Sequence, residues 1–262
     1  ECVLATNTSS LSVERMSEGL KNPERVVGFH FFNPVAVMPL LEVARTSKTD
    51  DATTATAISV GKELKKTMII CKDAPGFVVN RLLTRFMGEI TDAVDEGTSP
   101  EVADNAMRAI GFPMSPFQLL DLVGPGVALH VSETLHANLG DRYRISPTMA
   151  AMVKQGVRNF YVKNEDGSFG ANPAALALIH KGDSPSTAEQ VRSRALTALA
   201  VEARMMLDEG VVSTPAEIDL CMLMGAGWPM HLGGILPYLD REGISEAACG
   251  QRFHPKAVAS LP

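Results

Sequence analysis

The strongest constraint on the fold is a punctuation pattern that occurs twice. Asp95-Glu96-Gly97 is followed by Pro100, Asp104 and Met107, then by Gly111-Phe112-Pro113-Met114, Asp121 and Gly124. Asp208-Glu209-Gly210 is followed by Pro215, Asp219 and Met222, then by Gly227-Trp228-Pro229-Met230, Asp240 and Gly243. The stretches ahead of each copy also match, Arg81-Leu82-Leu83-Thr84 against Arg194-Ala195-Leu196-Thr197. Two apolar helices resemble each other easily. A shared order of Gly, Pro and Asp over this length reads as an internal duplication. It predicts two similar helical units packing their apolar faces together. The helix expected from Phe77 to Glu96 shows such a face. Val78, Leu82, Phe86, Ile90 and Val94 recur every fourth residue, and Gly97 stands where a helix cap belongs.

Residues 1–73 read differently. Short apolar runs alternate with helical stretches, the pattern of an α/β unit. Strands are expected at Cys2–Ala5, Arg25–Phe32, Leu40–Ala44 and Thr67–Cys71, the first of them buried. Helices are expected from a Ser10 cap through Glu18, with Glu14 in the first turns, and over Asp50–Lys65. Asp73-Ala74-Pro75-Gly76 breaks the pattern, and strand signals nearly vanish beyond it. Val157–Asn172, polar and glycine-rich, reads as an exposed linker between the copies. The expected class is α/β followed by all-α, divided as 1–73, 74–185 and 186–262.

Composition excludes more than it assigns. Of 262 residues, 45% are hydrophobic and 21% charged, with a net charge of −6, an ordinary globular mixture without the basic stripe of a nucleic-acid binder. No apolar run approaches the ~20 residues of a membrane-spanning helix. The four cysteines, Cys2, Cys71, Cys221 and Cys249, form no C-x-x-C pair and no zinc-ligand spacing, which reads as free thiols in a reducing compartment. Glu1-Cys2-Val3-Leu4-Ala5 has no features of a signal peptide and reads as the middle of a domain.

Four polar residues stand out against apolar surroundings: Ser9 after the first strand, His30 in the second, Glu42 in the third and Asn80 early in the long helix. In an open α/β sheet, ligands bind beyond the carboxyl ends of strands. A carboxylate flanked by Leu40, Leu41 and Val43 is costly unless paired, and a histidine is a natural partner. Such a pair suits proton transfer, the imidazole exchanging the proton and the carboxylate orienting it. Hydride transfer from a secondary alcohol needs that base. Taken singly, each residue also has a bland reading: a structural histidine, a carboxylate paired at the surface, a helix-surface amide, a turn built by Asn7 and Ser9.

The blocks N-T-S-S-L at Asn7–Leu11, G-F-H-F-F-N-P-V-A-V-M at Gly28–Met38, L-E-V at Leu41–Val43 and D-A-P-G-F-V-V-N-R at Asp73–Arg81 resemble the 3-hydroxyacyl-CoA dehydrogenase family, in the family's order. The resemblance runs through both helical copies and so covers nearly the whole chain. It implies a Rossmann-type NAD-binding domain, here its C-terminal part, plus two helical domains of the 6-phosphogluconate-dehydrogenase C-terminal type. It implies His30 as catalytic base and Glu42 as its partner. Ser9, Asn33 and Asn80 match substrate contacts, and Asn7 matches a residue near the nicotinamide. The cofactor implied is NAD, and the substrate an acyl-CoA.

The two helical copies resemble the multifunctional fatty-acid oxidation enzymes. That implies a hydratase domain in the same chain, a thiolase subunit as partner and a bacterial cytoplasmic setting, with the mitochondrial matrix or peroxisome as alternatives. A homo-oligomer is a further expectation, because half a sheet would expose an edge. One departure is large. The family opens with a strand and G-x-G-x-x-G, whose glycines hold the pyrophosphate, and no such motif occurs here. The expectation is a fragment that binds NAD poorly. Two other readings stay open: a helical assembly module without chemistry, and a β-hydroxyacid dehydrogenase acting on free acids. The second would want a catalytic lysine on the long helix, and none lies between Phe77 and Glu96.

Overall fold

The computed structural model describes residues 2–164, 169–179 and 182–259. Its elements run β1 (Leu4–Thr6), α1 (Val13–Ser17), β2 (Val26–Phe31), β3 (Leu40–Arg45), α2 (Asp51–Glu63), β4 (Thr67–Lys72) and α3 (Val79–Asp95). Then come α4 (Pro100–Asn105), α5 (Pro116–Val123), α6 (Pro125–Leu139), α7 (Pro147–Gln155), β5 (Tyr161–Lys163), β6 (Phe169–Ala171) and α8 (Pro173–Leu176). The chain ends with α9 (Ala188–Asp208), α10 (Pro215–Gly225), α11 (Ile235–Arg241), α12 (Ile244–Cys249) and α13 (Lys256–Ala259). No helix among the described residues is long and apolar enough to cross a membrane.

The chain divides into two compact units, Glu1–Leu83 with Ala200–Pro262, and Thr84–Leu199. Both divisions fall inside helices, α3 and α9. A continuous amphipathic helix gives no letter that says where its packing partners change.

The first unit holds a four-stranded sheet in the order β1-β2-β3-β4. β1 pairs β2 in parallel, β2 pairs β3 antiparallel, and β3 pairs β4 in parallel. Two β-α-β crossovers therefore flank one antiparallel turn. Val27, Phe29, Leu41, Val43 and Ala57 form the core between sheet and α2. Gly61 lets α2 lie close to β4: a Cβ there would sit 2.2 Å from the Met68 sulfur, so the methionine would have to shift. Asp50 caps α2, its carboxylate accepting from the Thr53 amide at 2.6 Å.

Three expectations change. β1 is the edge of the described sheet and Leu4 is 51% exposed, so the first strand is not buried. Ser12, not Ser10, caps α1, because Ser12 Oγ reaches both the Arg15 amide and Asp73 Oδ2. The expected linker at 157–172 instead forms a hairpin, β5 with β6, over its described residues, while 165–168 lie outside them. Phe160 is buried ahead of the hairpin, its ring 4.5 Å from that of Phe117.

The residues aligned between the two sequence copies make matching bonds. In the second unit, Asp104 accepts from the Phe117 amide at 2.9 Å and the Tyr161 hydroxyl at 2.6 Å. Asp121 there accepts from the Phe160 and Tyr161 amides at 2.6 and 2.9 Å. In the first unit, Asp219 accepts from the Leu236 amide at 2.8 Å and meets His254 Nε2 at 2.7 Å. Asp240 accepts from the Phe253 and His254 amides at 3.0 and 2.8 Å. Each aspartate replaces water as the acceptor for backbone amides, at a helix entry, a strand entry or, at Phe253 and His254, a turn. The arginines match atom for atom. Arg81 Nε meets Glu202 at 2.6 Å and its two terminal nitrogens meet Glu209 at 2.6 and 3.0 Å. Arg194 Nε meets Glu89 at 3.1 Å and its terminal nitrogens meet Glu96 at 2.5 and 3.2 Å.

Candidate active site

The site is built on the antiparallel pair β2–β3. His30 and Glu42 stand directly opposite each other in the register, so their side chains leave the same face of the sheet. His30 Nδ1 lies 2.8 Å from Glu42 Oε2. His30 is 5% and Glu42 0% exposed, so this carboxylate cannot rely on water. Its other oxygen accepts from the backbone amides of Val78 and Val79, at 3.1 and 2.9 Å. These are free donors at the entrance of α3, where the helix dipole also favours negative charge. Gly76 and Phe77, at φ +73 and +47, turn the chain into α3. For phenylalanine that conformation costs ~1 kcal/mol. Phe77 repays it by walling the imidazole, its ring 5.7 Å away, with Phe32 at 4.5 Å on another side.

A carboxylate partner makes Nδ1 the donor and Nε2 the acceptor of a neutral imidazole. Nε2 has no protein partner among the described residues. Asn80 lies one residue beyond the Val79 amide and donates through Nδ2 to the Ser9 carbonyl at 3.2 Å, which joins the β1 exit to the start of α3. Asn7, exposed after β1, accepts from the Phe31 amide at 2.9 Å and so ties the ends of β1 and β2. Asn33 is exposed just past β2 and makes no hydrogen bond among the described residues. The structure thus joins His30 to Glu42, Asn80 to Ser9 and Asn7 to β2, and leaves Asn33 apart.

Sequence reasoning missed the amides of Val78 and Val79, since backbone donors carry no letter. A signal existed: a buried carboxylate needs donors, and the Pro75-Gly76 break announces a helix entrance. Asp73 was also missed. Its Oδ2 accepts from Ser12 Oγ at 2.9 Å and the Glu14 amide at 2.8 Å, which fastens α1 beside the end of β4. A cavity of about 1040 Å³ lies in the second unit, lined by Phe112, Met114, Leu122 and Phe169 among others. Its polar members Asp104, Asp121 and Tyr161 are spent on the hairpin bonds, so it offers no comparable acid/base pair.

Comparison with known proteins identifies the family. Residues 1–74 match the description "3-hydroxyacyl-CoA dehydrogenase, NAD binding domain", and residues 76–165 match "3-hydroxyacyl-CoA dehydrogenase, C-terminal domain". The fatty acid oxidation complex subunit alpha of Acinetobacter baylyi is 32% identical over 275 residues, covering 96% of this chain and 38% of that protein. The chain therefore spans 38% of the length of that curated relative. The 3-hydroxybutyryl-CoA dehydrogenase of Escherichia coli K12 shares the fold, with a TM-score of 0.72 and 23% identity, covering 98% of this chain and 74% of that one. FadB2 of M. tuberculosis is 34% identical with a TM-score of 0.57, covering 60% of this chain and 56% of that one. With both of its domain descriptions matched in order, a Rossmann-like α/β part leading into a helical part, the chain belongs to the 3-hydroxyacyl-CoA dehydrogenase family.

Proposed function

We propose that the chain carries the proton-handling part of an NAD-dependent enzyme that oxidises (S)-3-hydroxyacyl-CoA to 3-oxoacyl-CoA in fatty-acid β-oxidation. The observation that carries this reading is the buried His30–Glu42 contact, with Glu42 held in turn by two helix-entrance amides. His30 Nε2 takes the hydroxyl proton as the carbinol carbon gives up its hydride. Glu42 keeps the ring in one orientation and stabilises the imidazolium that forms. In the reverse direction the imidazolium returns the proton to the developing alkoxide. Ser9 and Asn80, at the mouth of the same strands, hold the reacting oxygen.

NAD, when bound, supplies the hydride acceptor. The residues present fit its nicotinamide end, because Asn7 and His30 stand at the carboxyl ends of adjacent parallel strands, where such ligands bind. The chain contains no G-x-G-x-x-G, so that grip on the pyrophosphate is not among its residues. The substrate is an acyl-CoA. The Acinetobacter relative is named as subunit alpha of a complex, which supports a partner subunit; a thiolase and further copies of this chain are the partners proposed.

We also infer that the helical region is a duplication, with bounds 74–185 and 186–262 following an α/β part at 1–73. The paired aspartate and arginine networks support it. The decisive experiment measures NADH-dependent reduction of acetoacetyl-CoA by the complete gene product. His30→Gln should lower the rate at least ~100-fold. Wild-type rates in that variant would overturn the assignment of the base.

A further inference from the structure

We propose that Arg81 is a positioning residue for the acid/base pair: clamped by Glu202 and Glu209, it fixes the α3 entrance whose amides hold Glu42. This deepens the proposed function and rests on His30 and Glu42 being the reacting pair.

Arg81 is fully buried and lies two residues past Val79, in the first turn of α3. Its amide closes that turn on the Gly76 carbonyl at 3.1 Å. Its guanidinium is gripped from two sides, by Glu202 through Nε and by Glu209 through both terminal nitrogens. A planar fork held at three nitrogens fixes orientation as well as position. Buried ion pairs of this kind add little net stability over apolar packing, and their best-attested use is to specify one arrangement. The arrangement here is the aim of the Val78 and Val79 amides.

Two further contacts converge on the same segment. Gly225, the last residue of α10, packs so closely that a Cβ would lie 2.5 Å from Leu40 Cδ2 and 2.9 Å from Val79 Cγ2. The Lys72 amide, just before the Pro75-Gly76 turn, donates to the Val211 carbonyl at 2.9 Å. All three contacts come from residues 202–225, so the later helical copy stations the part of the chain that aims Glu42.

The twin clamp supplies an internal control. Arg194 binds Glu89 and Glu96 through the same atoms, and its members make no hydrogen bond to a histidine among the described residues. A merely structural clamp predicts that shortening either arginine to lysine changes stability and leaves the His30 signal where it was. A positioning clamp predicts that only the Arg81 change reaches His30.

The test follows the His30 ring by NMR in histidine-labelled protein through a pH titration, its signal assigned by loss in His30→Gln. Arg81→Lys should move the His30 titration midpoint by ~0.5 units or more. It should also lower kcat about 10-fold or more, with KM within ~2-fold. Arg194→Lys should leave both unchanged. An unmoved His30 signal in folded Arg81→Lys, or an equal shift in Arg194→Lys, overturns the proposal. Where Arg81→Lys does not fold, Glu209→Gln decides on the same reading, since that carboxylate is 41% exposed and its amide keeps the shape. The ring titration reads the clamp whether or not His30→Gln abolishes turnover, so the two proposals fail separately.

Discussion

The two compact units share a skeleton and differ in what the skeleton carries. Each has a pair of aspartates taking backbone amides, and each has an arginine held by two glutamates seven residues apart. In one, the side-chain partner of the first aspartate is the Tyr161 hydroxyl; in the other it is the His254 imidazole. One arginine is fully buried, the other 32% exposed. Only the first unit sets its clamp beside a sheet bearing a histidine and a carboxylate. Matching bonds therefore do not bring a matching site. The proposed acid/base pair stands on the strands, and the bonds that match lie in the helical framework.

The comparison can be broken most forcefully at the clamps. Arg81→Ala removes the guanidinium that meets the fully buried Glu202, at a cost of about 3–5 kcal/mol. Arg194→Ala, at a partly solvated pair, costs about 1 kcal/mol or less. Denaturant melts of the two variants should show that ordering, and equal losses would mean that burial does not distinguish the clamps.

A smaller contrast lies at the glycines that end the long helices. Gly97 and Gly210 both have positive φ, +113 and +66. A Cβ at Gly210 meets nothing, so alanine there carries only the conformational cost of about 1 kcal/mol. At Gly97 it would lie 2.5 Å from the Gly182 carbonyl oxygen, a backbone atom that cannot swing aside. Gly97→Ala should therefore cost about 2–3 kcal/mol, read as the larger drop in melting temperature.

The smallest effect concerns acid. Each unit holds a carboxyl pushed up to about 6, mainly by burial: Asp219 in one, Asp92 in the other. For Asp92, whose ordinary value is 3.8, the folded state binds the proton more readily than the unfolded chain. Its contribution is destabilising above about 6 and is relieved as pH falls toward 3.8. Asp92→Asn should then stabilise the protein by about 1 kcal/mol at neutral pH and flatten the stability curve across that window. Thermal melts that show a loss at neutral pH would mean that the Arg144 contact, 3.6 Å away, outweighs the burial.

Much of this was legible from residues alone, for physical reasons. Strands β2 and β4 are dense in β-branched or aromatic residues, β3 is an apolar run broken by Glu42, and Asp50 stands where a helix cap must. His30 and Glu42 could be found because burying a polar group in an apolar strand is costly enough to need a purpose. The pairing of β5 with β6 was hidden, because each strand has three residues and their anchor, Asp121, lies about forty residues away. Ser10 and Ser12 look alike in sequence, and Asp73 at the end of β4 selects between them. The doubled aspartates were visible as punctuation, but their bonding was not.

The direct opposition of His30 and Glu42 across β2 and β3 also bears on how such a site is inherited. The two residues are twelve apart in the chain, yet ladder pairing and not chain spacing keeps them together. The bend at 32–39 can gain or lose residues in related chains without parting imidazole from carboxylate. A single deletion inside either strand turns one of them to the opposite face of the sheet. Drift in the bend is therefore free, while the two strands descend as one indivisible unit.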